Sequence, residues 1–106
     1  MTYQSIYMIC ANNDEASIIV DALIEKRLIA CANIMAPHES VYHWQGSIEK
    51  ASEVAVFMKS RAELFKDVQE LVCSLHSYDT PCLVAWDIKD GYMPYLNWLA
   101  DETKAI

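Results

Sequence analysis

Glycine and basic residues are scarce in this sequence. Of its 106 residues, two are Gly and eight are Lys or Arg, whereas fifteen are Asp or Glu, which gives a net charge of −7. A chain of that charge repels a phosphate backbone instead of releasing counterions from it, so no nucleic acid partner is expected. Neither Gly lies where a strand would turn into a helix, so a glycine-rich phosphate cradle is also missing.

Long apolar runs and closely paired cysteines are missing too. No apolar run approaches the roughly 20 residues that span a bilayer, and the first residues, MTYQSIYMIC, contain neither a basic leader nor a small-residue cleavage site. We therefore expect a cytoplasmic protein with no membrane partner. The four cysteines, Cys10, Cys31, Cys73 and Cys82, form no CxxC pair, which excludes a copper-chaperone motif and favours reduced thiols.

What is present is the composition of a packed protein. Hydrophobic residues make up 54% of the chain, and its length is close to the commonest size of a single domain. No linker, repeat or low-complexity tract interrupts it. We therefore expect one domain over residues 1–106.

The start of the first helix is predicted by an N-terminal cap. Asn12 with Glu15 three residues later is typical of a capping box, and it follows the short apolar run SIYMIC, which predicts a strand. The apolar residues after the cap recur at helical spacing and predict one buried stripe. These residues are Ala16, Ile19, Val20, Leu23 and Ile24.

A long hairpin and a second helix are predicted next. Two strands surround a turn at QGSIEKAS, and Pro37 interrupts the first strand, which implies a bulge or an edge position. Ser60 with Glu63 resembles a second capping box and predicts that the second helix begins there. The run CLVAWDI predicts a last strand, and Pro94 is well placed in the first turn of a short terminal helix.

The predicted order of strands and helices is β-α-β-β-α-β-α. Right-handed crossovers then place both main helices on one face of a four-stranded antiparallel sheet, which is the α+β ferredoxin-like βαββαβ sandwich with a short C-terminal helix. The other face has no helix of its own, although Tyr7, Val41, Phe57 and Trp86 put large apolar groups on both faces. Self-association is the simplest cover for it.

The stretch HSYDTPC, residues 76–82, combines an imidazole, a carboxylate and a thiol. His76, Asp79 and a thiol from Cys82 or Cys31 offer borderline ligands for copper or zinc. A Cys/His nucleophilic pair oriented by Asp79 is a second interpretation. A third is structural, since a His at a helix end complements the helix dipole and Asp79 with Pro81 favours a turn.

Aromatic pairs occur on one strand and one helix. Tyr42 and Trp44 share a strand face, and Tyr95 and Trp98 share a helix face, so both pairs favour core or subunit contacts. Lys59 ends a strand beside hydrophobic residues. It is expected near a cleft, with a carboxylate as its partner.

Five segments in order, RLIACANI, SVYHWQGSIE, VFMKS, HSYDTP and YLNW, jointly resemble the CutA family, the divalent-cation tolerance proteins. The resemblance covers nearly the whole chain. It implies a ferredoxin-like homotrimer whose long hairpins cross subunit boundaries, and tolerance to copper and other divalent cations. Ser77, Asp79 and Cys82 depart from the family's usual Pro, Glu and Glu, and the thiol should favour softer metals.

The leading hypothesis is a cytoplasmic, trimeric, non-enzymatic divalent-cation tolerance protein without an organic cofactor. It binds copper or another divalent metal ion. The predicted metal ligands are His76, Cys31, Asp79 and Cys82.

The rival hypothesis is a trimeric signalling or sensor module. It binds an anionic metabolite in clefts between subunits. The residues predicted to line these clefts are Lys59, Tyr42, Trp44, Tyr78 and Trp98.

Overall fold

The computed structural model describes residues 1–105 and places five strands and three α-helices within them. In chain order these are β1 (Tyr3–Cys10), α1 (Asn13–Glu25), β2 (Cys31–Ile34), β3 (His38–Trp44), β4 (Ser47–Arg61), α2 (Phe65–Leu75), β5 (Leu83–Asp87) and α3 (Met93–Glu102). The antiparallel sheet has the order β2-β4-β1-β5, and β3 pairs with the other half of β4. The predicted ferredoxin-like sandwich is confirmed.

The core lies between one face of this sheet and the two helices α1 and α2. Alternate residues of β1 point to the helices, and Ile6, Met8 and Cys10 are each fully buried there. Leu23 of α1 and Val68 of α2 are also fully buried. This packing brings the end of β1, the start of α1 and the end of α2 together.

Pro37 divides the predicted long strand into β2 and β3. Ile34 pairs with Val56 and His38 pairs with Glu53, so four steps on one strand oppose three on the other. The extra residue is a bulge, as predicted, because Pro37 has no N–H to donate to a ladder. Since both pieces pair with β4, the sheet has five strands and not the four predicted.

The turn of the hairpin is shorter than predicted. Gln45 and Gly46 both have positive φ angles, 49° and 82°, which is typical of a two-residue turn that matches the strand twist. Consequently β4 already begins at Ser47, and most of the predicted turn QGSIEKAS is strand.

The N-cap of α1 at Asn12 is confirmed, but the side chain of Glu15 bonds to the residue before the cap and not to the cap itself. The Glu15 N–H donates to Asn12 Oδ1 at 2.8 Å, and Glu15 Oε1 accepts from the Ala11 N–H at 3.1 Å. The stripe of α1 is buried as predicted except for Ile24, which remains 41% exposed.

The second capping box, at Ser60, was wrong. Ser60 lies in β4 and is fully buried, and its hydroxyl donates to the Leu28 carbonyl at 2.6 Å. A short 3₁₀ turn, Ala62–Leu64, follows, and α2 begins only at Phe65 without a side-chain cap. The buried Leu28 carbonyl requires a hydrogen-bond donor, and this requirement outweighs the local preference of Ser for a helix cap.

The second face of the sheet is only partly covered. At one end α3 packs on it, where Leu99 is fully buried and the buried Arg61 Nε donates to Thr103 Oγ1 at 2.8 Å. Beyond α3, Tyr7 packs edge-on against Phe57 with ring centroids 5.1 Å apart, and Trp86 is 51% exposed. Within residues 1–105 no helix is long and apolar enough to cross a membrane.

We expect Ser60→Asp to destabilise the protein by about 3 kcal/mol or more, because it places a carboxylate in the core next to a carbonyl. At a true N-cap the same change is nearly neutral. Asn12→Asp is therefore the matched control and should alter the free energy of unfolding by less than about 0.5 kcal/mol. Urea unfolding measures both. Equal stability of the two variants would contradict the buried position of Ser60.

Candidate functional site

His76 ends α2 and turns its side chain inward. The side chain is fully buried, and its Nε2 lies 2.7 Å from the Ile9 carbonyl oxygen while Nδ1 accepts the Tyr78 N–H at 3.1 Å. A carbonyl can only accept and a backbone N–H can only donate, so Nε2 carries the hydrogen and Nδ1 does not. The ring therefore ties the loop after α2 to β1.

Glu15 lies beside this histidine at the start of α1. Its Oε1 is 3.6 Å from His76 Nε2, and its Oε2 accepts the Ser77 N–H at 3.1 Å. Burial opposes ionisation of Glu15, but hydrogen bonds from Ser77 and from the Ala11 N–H lower its pKa below the ordinary value. The carboxylate thus holds the loop after α2 against the cap of α1.

Cys10 completes a cluster of three metal-ligating groups. Its side chain is fully buried, and burial, together with the charges of Glu15 and Glu53, raises the pKa of its thiol to about 12. The ligand atoms of Cys10, Glu15 and His76 all lie within 4.8 Å of one another. We call these three residues the inner cluster.

The inner cluster fits a soft or borderline metal by its donor atoms. A thiolate, an imidazole and a carboxylate are the ligands that zinc and copper take in proteins. Tetrahedral zinc ligands lie about 3.3 to 3.8 Å apart, so the side chains would have to close by about 1 Å. Binding through His76 Nε2 would also replace its hydrogen bond to Ile9.

On the other side of the loop lies a cleft of about 650 Å³ beneath the hairpin. It is lined by Tyr7, Ile9, His38, Ser40, Val41, Tyr42, Trp44, Glu53, Tyr78, Asp79, Thr80 and Cys82. The Tyr78 hydroxyl donates to Glu53 Oε2 at 2.6 Å.

The charge of Glu53 affects two groups in this cleft. Burial and then the contact with Glu53 raise the pKa of Tyr78, and the same two causes raise the pKa of Cys82. Both groups are therefore neutral at physiological pH. The cleft has a phenol and a thiol as neutral groups and two carboxylates, Glu53 and Asp79, as its anions.

The four predicted metal ligands lie in three different places. His76 belongs to the inner cluster, whereas Asp79 and Cys82 line the cleft. Cys31 pairs with Lys59 in the sheet, and its Sγ lies 3.5 Å from the Tyr95 hydroxyl.

Cys31 and His76 do not meet within one chain. Lys59, the partner of Cys31, also pairs with Ser5, but the carbonyl that holds His76 belongs to Ile9, four residues further along β1. Four residues of a strand span about 13 Å. Ligand atoms of one ion lie within about 4.6 Å of each other, so register alone separates these two side chains.

The predicted cleft residues also divide into two groups. Tyr42, Trp44 and Tyr78 line the cleft, but Lys59 lies six residues from Glu53 along β4, which is about 20 Å. Trp98 lies on α3, its ring 5.6 Å from that of Tyr95, near the far end of the sheet.

Three residues of these sites were not predicted from the sequence. Cys10 was predicted only as a reduced thiol, and Glu15 only as part of a cap. Glu53 was not singled out, although a Glu that shares a strand face with Ala55 and Phe57 is a signal in itself, because an acid on an apolar face needs a partner.

The comparison with solved structures supports the fold described above. A divalent cation tolerance protein from Thermus thermophilus superposes with a TM-score of 0.94 at 33% identity, covering 96% of this chain and 99% of that one. The CutA structure from Archaeoglobus fulgidus, described as periplasmic, gives 0.93 at 38% identity, with coverage of 96% and 99%.

The sequences themselves identify the family. The divalent-cation tolerance protein CutA of Archaeoglobus fulgidus is 43% identical over 98 residues, which is 92% of this chain and 94% of that protein. The family described as CutA1 divalent ion tolerance protein matches residues 4–102. The chain belongs to the CutA1 family, as the sequence motifs predicted.

Glu15→Gln should destabilise the protein by about 1 to 2 kcal/mol at neutral pH, because two backbone N–H groups lose a charged acceptor. Since the pKa of Glu15 is lowered in the folded state, its stabilisation is present above the ordinary value of 4.5 and is lost as the pH falls through the folded pKa. The difference between wild type and variant should therefore shrink in acid.

Urea unfolding of both proteins at neutral and acid pH measures this difference. Glu25→Gln, at the exposed end of the same helix, is the matched control and should change stability by less than about 0.5 kcal/mol at either pH. A gap between wild type and Glu15→Gln that does not narrow in acid would contradict the role given to the carboxylate.

Proposed function

We propose that this protein is a trimeric divalent-cation tolerance protein that binds a soft or borderline divalent metal, copper or zinc, at the inner cluster. The observation that carries the proposal is the convergence of Cys10, Glu15 and His76 at the junction of β1, α1 and α2. His76 stays in the proposed ligand set. Cys10 and Glu15 replace Cys31, which is too far along the sheet, and Asp79 and Cys82, which line the cleft.

The family name supports the class of ligand. Relatives are named for tolerance to divalent cations, and a buried thiol beside an imidazole and a carboxylate matches copper or zinc better than magnesium or calcium, which prefer oxygen ligands alone. The bound metal would need the thiolate form of Cys10, and the cation would supply the charge that stabilises it. We propose no catalytic step for this site, and the protein remains predicted as cytoplasmic.

No observation on residues 1–105 favours the rival, a sensor for an anionic metabolite. In this described part of the chain the cleft is lined by two carboxylates and by no Lys or Arg, and Lys59 lies outside it. An anion entering the cleft would meet charges of its own sign.

The proposal of a trimer rests on exposed apolar side chains. Val84 and Trp86 on the open sheet face are about half exposed, and Ile48 near the tip of the hairpin is 70% exposed. Exposed apolar groups on neighbouring elements are typical of subunit interfaces. The hairpin, which extends beyond the body of the subunit, is well placed to cross onto a neighbour.

Titration with Co(II), a spectroscopic substitute for zinc, tests the metal site. A thiolate-to-cobalt charge-transfer band should develop and should vanish in Cys10→Ser. His76→Ala and Glu15→Gln should weaken the affinity at least tenfold, because each removes one ligand.

Matched variants separate the inner cluster from the cleft. Cys82→Ser and Asp79→Asn change the same residue types in the cleft, and Cys73→Ser changes an exposed thiol, so all three should bind Co(II) like wild type. If the band were lost in Cys82→Ser but normal in Cys10→Ser, the metal site would be the cleft and the proposal would be wrong.

Sedimentation equilibrium should give a mass about three times that of the 12.1 kDa chain at micromolar concentration. Trp86→Asp should weaken the assembly, because it places a charge on the exposed apolar face at the edge strand β5. Glu70→Asp, at an exposed position of α2, should leave the mass unchanged. A monomeric wild-type protein would contradict the proposal.

A further inference from the structure

The cleft beneath the hairpin has a chemistry that the proposed metal site does not use. We propose that it binds a small organic cation bearing an alkylated ammonium group, with aromatic rings around the cation and Glu53 as its counter-ion. The inner cluster lies on the opposite side of the loop 76–78, and Glu53 is not one of its members. The proposed cation site therefore uses none of the three proposed metal ligands.

Four Tyr and Trp rings lie among the twelve residues that line the cleft. Tyr7, Tyr42, Trp44 and Tyr78 come from two strands and the loop after α2, so they approach the space from different directions. Each ring presents a negative face, and several such faces around one site attract an alkylated ammonium ion, whose charge is spread over its carbon atoms. The volume of about 650 Å³ is that of an ordinary small-ligand site.

Glu53 is the second, independent observation. It is only 6% exposed, yet it lines the cleft, and none of the ion pairs formed among residues 1–105 includes it. Its Oε2 accepts the Tyr78 hydroxyl, and its Oε1 has no hydrogen-bond partner in this part of the chain. Within the described residues Glu53 Oε1 is not a buried atom without a partner, so this oxygen is open to the cleft, where a bound cation would pair with it.

The other charges around the cleft also favour a cation. Asp79 lies at the same cleft, His38 is the one basic side chain among the lining residues of the described chain, and the His38 ring is engaged with Ser40 Oγ at 3.0 Å. The whole chain carries a net charge of −7, which raises the local concentration of cations. Rings without a carboxylate would take a neutral apolar molecule equally well, and here both are present.

Choline is the probe, and its uncharged carbon isostere, in which a tert-butyl group replaces the trimethylammonium group, is the comparison. Calorimetric titration of the metal-free, assembled protein should show choline binding at least tenfold more tightly than the isostere. This comparison needs no variant, so a failure to fold cannot obscure it. Equal affinity, or no binding of choline, overturns the proposal. If another copy of the chain fills the cleft in solution, choline will not bind, and this result also overturns the proposal.

Variants assign the site. Glu53→Gln should weaken choline binding at least tenfold and leave the isostere unaffected, since the amide still accepts from Tyr78 but carries no charge. Trp44→Leu should reduce the preference for choline over the isostere at least threefold. Glu49→Gln makes the same change at an exposed position of the same strand and should bind like wild type. Identical losses in Glu53→Gln and Glu49→Gln would mean that only net charge matters, and the proposal would fail.

Discussion

The two hydrogen bonds of the His76 ring hold the site region together. One ring nitrogen donates to the Ile9 carbonyl near the end of β1 and the other accepts the Tyr78 N–H, so the imidazole bridges β1 and the loop after α2. Inside the core such bonds are costly to lose, because a buried carbonyl or N–H would remain without a partner. These bonds hold the loop after α2 at one position, and the side chains of the inner cluster and of the cleft are positioned by it.

Two carboxylates lie on opposite sides of this loop and have different surroundings. Glu15 accepts from two backbone N–H groups and is stabilised as an anion inside the protein. Glu53 has one phenol as its partner and adjoins an open cleft. The first belongs to a compact cluster with a thiol and an imidazole, whereas the second lies among aromatic rings. The same loop thus separates a region suited to a metal ion from a region suited to a larger cation, and a subunit could hold both.

Local patterns predicted a good part of this arrangement. The apolar run of β1, the cap at Asn12 and the bulge at Pro37 each follow from the chemistry of a few neighbouring residues, and each is present in the structure. The family motifs also singled out residues 76–82 as a candidate site. The capping box at Ser60 failed because its hydroxyl bonds to Leu28, 32 residues away in the sequence, and no local pattern reveals such a partner.

The sequence by itself determined the class of fold, the family and the residue types available for chemistry, because periodicity, caps and turns depend on neighbours along the chain. Only the tertiary structure decided which of those residues meet. The sheet register keeps Cys31 away from His76, and the packing of α1 and α2 on β1 brings Cys10 and Glu15 to that histidine instead. A shift of a few strand residues moves a side chain by more than the whole diameter of a metal site, and this register is set by contacts between segments that are distant in the sequence.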